Sequence, residues 1–229
     1  MSVAQVPNTS ERSGILLCLV GPAGVGKTTI SQRLIAESRG SLAKSVSVTS
    51  RKMRSGEVDG ESYHFVSRAD FEKRVAEGLF FEWEEVHGNL YGTLRATLDE
   101  AVKQGRDLVL DIDIRGALNL RRHYQRDLVT VFVLPPSGEI LRERILGRGS
   151  LGEGELERRL ETAKYEYARI SELRAGPGSH EYLVVNEQLA EAVSASQAIL
   201  DAERRRFHRF SKALVLRVCG PGGALGKLP

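Results

Sequence analysis

The stretch "GPAGVGKTT", residues 21–29, sets Gly21, four further residues, then Gly26, Lys27 and Thr28. Each residue type there has a use in holding a chain of phosphates. Gly21, Gly24 and Gly26 let a short loop turn its backbone N–H groups inward around phosphate oxygens. Lys27 brings a point charge to the β- and γ-phosphates, Thr28 offers a hydroxyl to Mg²⁺, and a helix opening at this point adds its dipole. The loop Gly21, Pro22, Ala23, Gly24, Val25, Gly26, Lys27, Thr28, Thr29 is therefore expected to cradle a nucleoside triphosphate. A glycine turn can be purely structural. Here it follows a run that reads as a buried strand and precedes a helical pattern, which is the setting the chemistry requires.

Two further groups could act with that loop. Asp111 and Asp113 close the run "DLVLDIDI", and acids at the carboxyl ends of parallel strands face the ligand crevice. Asp111 is placed to reach Mg²⁺ through water; the competing role of such an aspartate is to cap the next helix. The segment "VTSRKMRSGEVDGESYHF", residues 48–65, crowds Arg51, Lys52 and Arg54 together and closes on Tyr63. Arg-rich turns are usually solvated, and alone the segment says little. Behind a triphosphate loop it gains a meaning, because an acceptor that is itself a phosphate ester needs its own cations. Arg51 and Arg54 can grip such a group through paired N–H donors and Tyr63 can add a hydroxyl. Lys52 is expected to point to solvent.

These residues need a scaffold. The runs 14–20, 107–114, 128–136 and 181–186 are short, β-branched and without clean alternation, as strands buried on both faces of a parallel sheet read. Helical patterns lie between them at Lys27–Ser38, Leu94–Gln104, Gly116–Tyr124, Gly138–Leu146, Leu156–Leu173 and Leu189–Phe210. The alternation predicts a doubly wound α/β core, a parallel sheet flanked by helices. Two segments break it. Residues 45–93 hold the arginine turn, a short helix at Ala69–Glu77 and "LFFEWEEVHGNLYGT", which reads as strands around His87-Gly88-Asn89; the whole is expected to be an inserted acceptor subdomain. Residues 147–158 are Gly-rich between two Arg-bearing helices and are expected to form a mobile lid.

The chain has 229 residues, 41% hydrophobic and 28% charged, an ordinary globular profile that suits one large domain with inserts. Its longest apolar run is far too short to cross a bilayer. Residues 1–12 lack the pattern of a signal peptide and are expected to be flexible. Cys18 and Cys219 stand alone, which suits free thiols in a reducing cytoplasm. Seven cations and no carboxylate lie from Arg204 onward, so the body is mildly acidic and the basic balance belongs to the end of the chain. Residues 194–229 are expected to be a helix with solvated cations followed by a disordered basic tail, with no specific nucleic acid partner.

The segments "SVSVTSRKMRSGEVDGESYHF", "FFEWEEVHGNLYGT", "LVLDIDIRGA" and "VFVLPPS", in this order behind the phosphate loop, resemble the guanylate kinase family over about residues 13–193. The resemblance implies a P-loop NTPase-type sheet and transfer of the γ-phosphoryl group of ATP to GMP, and to dGMP, with Mg²⁺. By motif, Arg51, Arg54, Tyr63 and Tyr91 would hold the GMP phosphate, and Ser47, Glu82, Thr93 and Asp113 would read guanine. Lys27, Arg144, Arg148 and Arg159 would act on the transferring group, with Thr28 and Asp111 at the metal and Asn186 near adenine. Two departures stand out: the family usually has Ser-Gly where this chain has Ala23-Gly24, and Thr-Thr-Arg-x-Pro-Arg where this chain has Thr49-Ser50-Arg51-Lys52-Met53-Arg54. Both arginines remain. Glu82 could accept from N1–H and the 2-amino group of guanine, which adenine cannot offer. No general base is needed, since a phosphate oxygen is already a nucleophile. Two other readings compete, a non-catalytic module of the same family that binds phosphorylated partners and a kinase of sugar phosphates. The intact loop argues against the first and the base-reading set against the second. Monomer and homo-oligomer are both left open.

Overall fold

The computed structural model describes residues 12–86, 88–110, 112–147, 154–169, 181–211, 214, 216 and 217. Five strands form a parallel sheet: β1 (Leu16–Val20), β2 (Leu42–Lys44), β7 (Asp107–Leu110), β8 (Leu128–Leu134) and β9 (Glu181–Val185), in the order β2-β7-β1-β8-β9. Helices α1 (Lys27–Glu37), α3 (Arg95–Lys103), α4 (Ile114–His123), α5 (Gly138–Leu146), α6 (Glu155–Ala168) and α7 (Leu189–Arg204) cover it. The central strand β1 is buried on both faces. Ile15, Leu17 and Leu19 point into a core shared with Ile30, Leu141, Ile145 and Leu200. Leu16, Cys18 and Val20 point the other way, toward Leu98, Ile114, Ala117 and Leu120. Period-two alternation within an unbroken apolar run produces that two-sided burial.

The alternating pattern predicted this α/β sheet, with four differences. β2 was not anticipated: it has three residues, of which only Leu42 is buried, and sits at the sheet edge where a short strand suffices. The run 107–114 stops being a strand earlier than its apolar pattern, because Asp113 is the N-cap of α4 and its Oδ1 accepts from Gly116 N at 2.8 Å. The last helix ends at Arg204, not Phe210, and a 3₁₀ turn follows at Phe207–Arg209.

The fourth difference concerns the cations after residue 203. Arg204 and Arg209 are buried, not solvated. Arg204 Nε meets Asp107 Oδ2 at 2.7 Å, and Arg12 takes the same carboxylate with two N–H donors at 2.8 and 2.9 Å. Arg209 Nη2 meets Glu203 Oε2 at 3.1 Å, with Asp127 3.7 Å away. Ser13 N donates to Arg209 O at 2.8 Å, so the two ends of the described chain are joined. A buried charge needs a partner. Asp107, Asp127 and Glu203 lie far from the arginines in sequence or inside a helix, and composition could not show them as partners.

Residues between β2 and α3 build a second sheet, β4 (His64–Phe65), β3 (Val48–Thr49), β6 (Asn89–Leu94) and β5 (Phe80–Val86) in that order, with helix α2 (Arg68–Ala76) against it. Its own small core is Val48, Phe71, Phe80 and Leu90, with the Phe71 and Phe80 rings stacked at 4.3 Å. Ser67 caps α2 by accepting from Asp70 N at 3.0 Å.

Candidate active site

The loop after β1 turns through Gly24 and Gly26 at φ 94° and 99°, a region that side chains rarely adopt. Gly26 is the N-cap of α1, so the first N–H groups of that helix open toward the loop. Lys27 folds back on its own loop, donating to Gly21 O and, at 3.2 Å, to Pro22 O. Thr28 and Thr29 are exposed on the first turn. Asn186, at the end of β9, is buried and donates from Nδ2 to Val25 O at 2.7 Å, tying the loop to the far strand. A side chain at Gly26 would run into that amide. Arg144, in the last turn of α5, donates to Asn186 O at 2.9 Å and so reaches the same corner. Arg159 pairs with Glu155 one turn earlier on α6. Arg148 and Asp111 lie outside the described residues.

The second sheet supplies the other wall. Glu82 and Thr93 are directly opposite across β5 and β6, as are Glu84 and Tyr91, so all four share one face. A register shift between Phe80 and Glu82 decides which face that is. Phe80 pairs with Leu94, and strict alternation would then put Glu82 on the side of the Phe71 core. The extra residue, Phe81, goes instead into the core of the main sheet. Glu82 is thereby turned to the cleft, the re-aiming that a β-bulge performs. The doublet Phe80-Phe81 inside an alternating strand was the sequence signal for it. On the far side, the Glu82 carboxylate rests over the first turn of α4, where a Cβ on Gly116 would stand 2.5 Å from Oε2. Burial, then Asp113 and Glu84, push the Glu82 carboxyl up to about 7.

These walls enclose a cleft of about 560 Å³ whose lining includes Gly21, Lys27, Ser47, Glu82, Tyr91, Thr93 and Asp113. It therefore brings the phosphate loop and the four base-reading candidates together. Arg51, Arg54 and Tyr63 stand outside that lining but next to it, since the Tyr63 and Tyr91 rings meet edge to face at 5.9 Å. Arg51 lies 5.5 Å from the Tyr63 ring and its fork is held by Glu57, at 2.7 and 3.0 Å. Glu57 also accepts from Arg54 N at 2.8 Å. Its carboxyl is held below the usual range, first by Arg51. One carboxylate thus gathers the arginine turn, through the Arg51 fork and the Arg54 backbone. Glu57 and Glu166, a second carboxylate lining the cleft, were not among the residues picked out by sequence; neither belongs to a recognisable phosphate-loop pattern.

Among the described residues no group of three or more acidic, histidine or cysteine side chains could hold a metal ion by itself. No described helix is long and apolar enough to cross a membrane.

The model of one family, guanylate kinase, matches residues 13–203, ten residues beyond the stretch recognised by motif. The chain is 45% identical to a guanylate kinase of Symbiobacterium thermophilum over 92% of this chain and 94% of that protein. It is 44% identical to one of Syntrophotalea carbinolica over 87% and 90%. The crystal structure of a guanylate kinase from Anaplasma phagocytophilum superposes with a TM-score of 0.68 at 30% identity, covering 92% of this chain and 97% of that one. A phosphate loop facing a cleft-lining glutamate across one cavity, with similarity spanning nearly the whole chain, makes it a member of the guanylate kinase family.

Proposed function

We infer that this protein is an enzyme of purine nucleotide metabolism that transfers the γ-phosphoryl group of ATP to GMP, giving ADP and GDP. The observation that carries the acceptor assignment is Glu82: a bulge turns its carboxylate into the cleft that also holds Lys27. Guanine offers that carboxylate two adjacent N–H donors. Adenine would set a lone pair against it and leave it desolvated, and polar sites of this kind reject the wrong partner by about 10⁴–10⁵.

Around GMP, Ser47, Thr93 and Asp113 complete the base site, and Arg51, Arg54, Tyr63 and Tyr91 take the phosphate. Glu57 gives way to that phosphate, because the arginine fork fits a phosphate as well as a carboxylate. ATP lies with its phosphates on residues 21–29 and its adenine toward Asn186. Arg144, Arg148 and Arg159 close on the transferring group, and closure excludes water. Exposed Thr28 suits Mg²⁺, which keeps several waters and takes substrate phosphates in place of a full protein cage. With the phosphate of GMP as nucleophile, the side chains hold, orient and neutralise, and none has to remove a proton. The same nucleotides and the free Cys18 thiol suit a cytoplasmic enzyme without a nucleic acid partner, as a monomer or homo-oligomer.

A coupled assay of ATP with GMP, AMP, UMP and a sugar phosphate tests the assignment. ADP release should be fast with GMP alone. Equal rates with AMP or the sugar phosphate would overturn it.

A further inference from the structure

We propose that the Glu166 carboxylate is a second acceptor-reading group, taking a hydrogen bond from a ribose hydroxyl of GMP in the cleft that Glu82 also lines. The inference rests on the acceptor site described above. Glu166 is on α6, 9% exposed, and its Oε2 is buried with no hydrogen-bond partner. It lines the central cleft and, with Asp113 and Tyr165, an adjoining hollow of about 400 Å³. Seven residues separate it from Arg159, two turns along the same face of the helix, so α6 presents both to one side. Burial pushes its carboxyl up, Lys27 draws it down, and Asp113 raises it further. A buried carboxylate oxygen without a donor is costly, yet α6 carries one at the cleft. Such an atom calls for a donor that arrives with a ligand.

Chemistry narrows the donor. The two nearby carboxylates, Glu166 and Asp113, repel phosphate, so no phosphate group sits there. Lys27 already donates to Gly21 and Pro22 carbonyls, and the donor phosphates compete for the same ammonium. The N–H groups of guanine are directed to Glu82. The remaining donors of GMP are its 2′- and 3′-hydroxyls. The sugar must lie between the base, held at Glu82 and Asp113, and the phosphate, which has to approach Lys27. Glu166 shares the lining of the cleft with Asp113 and Lys27, which places it along that span.

The test compares kcat/KM for GMP, dGMP and 3′-deoxy-GMP in the full chain, as wild type, Glu166→Ala, Glu166→Gln and Glu82→Gln. Wild type should favour GMP over one deoxy analogue by about tenfold or more, the size of a hydrogen bond to a charged group. Glu166→Ala should bring that ratio within about twofold, and Glu166→Gln, which keeps volume and an uncharged acceptor, should fall between. KM for ATP should not move. Three equivalent acceptors in wild type, or a ratio untouched by either Glu166 variant, would overturn the proposal. So would an equal loss for all three acceptors, which would make Glu166 a residue that only positions α6. If Glu82→Gln leaves the preference for GMP over AMP intact, the acceptor site itself is misplaced. If Glu82→Gln lowers that preference while Glu166 shows no coupling to a hydroxyl, the ribose contact alone fails.

Discussion

Replacing Glu82 by glutamine removes one charge and almost no volume, and its consequences can be worked from the cleft. In the free fold, burial, Asp113 and Glu84 push the carboxyl from its ordinary 4.5 up to about 7. Guanine requires the ionised form. Below pH 7 only the ionised fraction is competent, and apparent affinity falls with that fraction. Between pH 8 and pH 6 the fraction drops from about 0.9 to about 0.1, so kcat/KM for GMP should fall about tenfold for a group titrating near 7. The phosphate of GMP also titrates near pH 6, but it does so equally with either protein. The ratio of wild-type to Glu82→Gln profiles therefore isolates Glu82. At pH 8 the variant should lose charge-assisted bonds worth roughly 1.5–3 kcal/mol toward GMP while AMP escapes the lone-pair repulsion. The preference for GMP over AMP should shrink by at least about an order of magnitude.

Stability should move the other way. A raised folded-state value means that the neutral carboxyl favours the fold fully below pH 4.5, and that advantage is lost as pH rises through about 7. At pH 8 wild type carries an ionised, half-buried carboxylate that glutamine does not. The displacement corresponds to at most about 3 kcal/mol, less because water reaches part of the group. Glu82→Gln should thus melt higher than wild type at pH 8 and alongside it near pH 4. The assay is coupled ADP release with GMP and AMP from pH 6 to 8, beside thermal melts at both ends. Parallel pH profiles in the two proteins, with the GMP preference retained, would refute the reasoning.

Lys27→Ala should lower kcat by orders of magnitude with the melt little changed, since its charge acts on the transferring phosphates; near-normal turnover in a folded variant would sink the phosphate-loop assignment. In Gly116→Ala the new Cβ would stand 2.5 Å from Glu82 Oε2, so KM for GMP should rise several-fold while KM for ATP holds, and equal changes in both would count against the Glu82 geometry. Arg209→Met should take the Arg209 donor from Oε2 of Glu203, which is 0% exposed, while Tyr182 and Arg206 still hold Oε1, and cost roughly 1–3 kcal/mol measured by denaturant melts, with activity at 25 °C kept. Truncation after residue 211 should leave both activity and stability close to wild type, because every residue assigned to the site and the ion pairs lies earlier; a large loss would show that residues 212–229 pack on the body.

What could be read without coordinates was local in sequence. The phosphate loop is one such case, because a glycine turn between strand and helix needs its residues consecutive. The sheet is another, because a strand buried on both faces leaves an unbroken apolar run, and β1, β8 and β9 were found that way. Glu82 and the arginine turn were recognisable by family motif, but why Glu82 faces the cleft was not: alternation alone turns it inward, and only the bulge at Phe80–Phe81 reverses it. Partnership across distance was equally illegible. Asp107 with Arg12 and Arg204, Glu57 with Arg51, and the orphaned oxygen of Glu166 depend on which side chains the fold brings together and which it deprives of water. The arginines after residue 203 show the difference most plainly. As composition they form a solvated basic end, but three carboxylates brought to the bottom of the sheet draw Arg204 and Arg209 into the interior. Residue types and spacing determine which chemistry is possible; burial and pairing, which exist only once the chain has folded, decide where each charge goes.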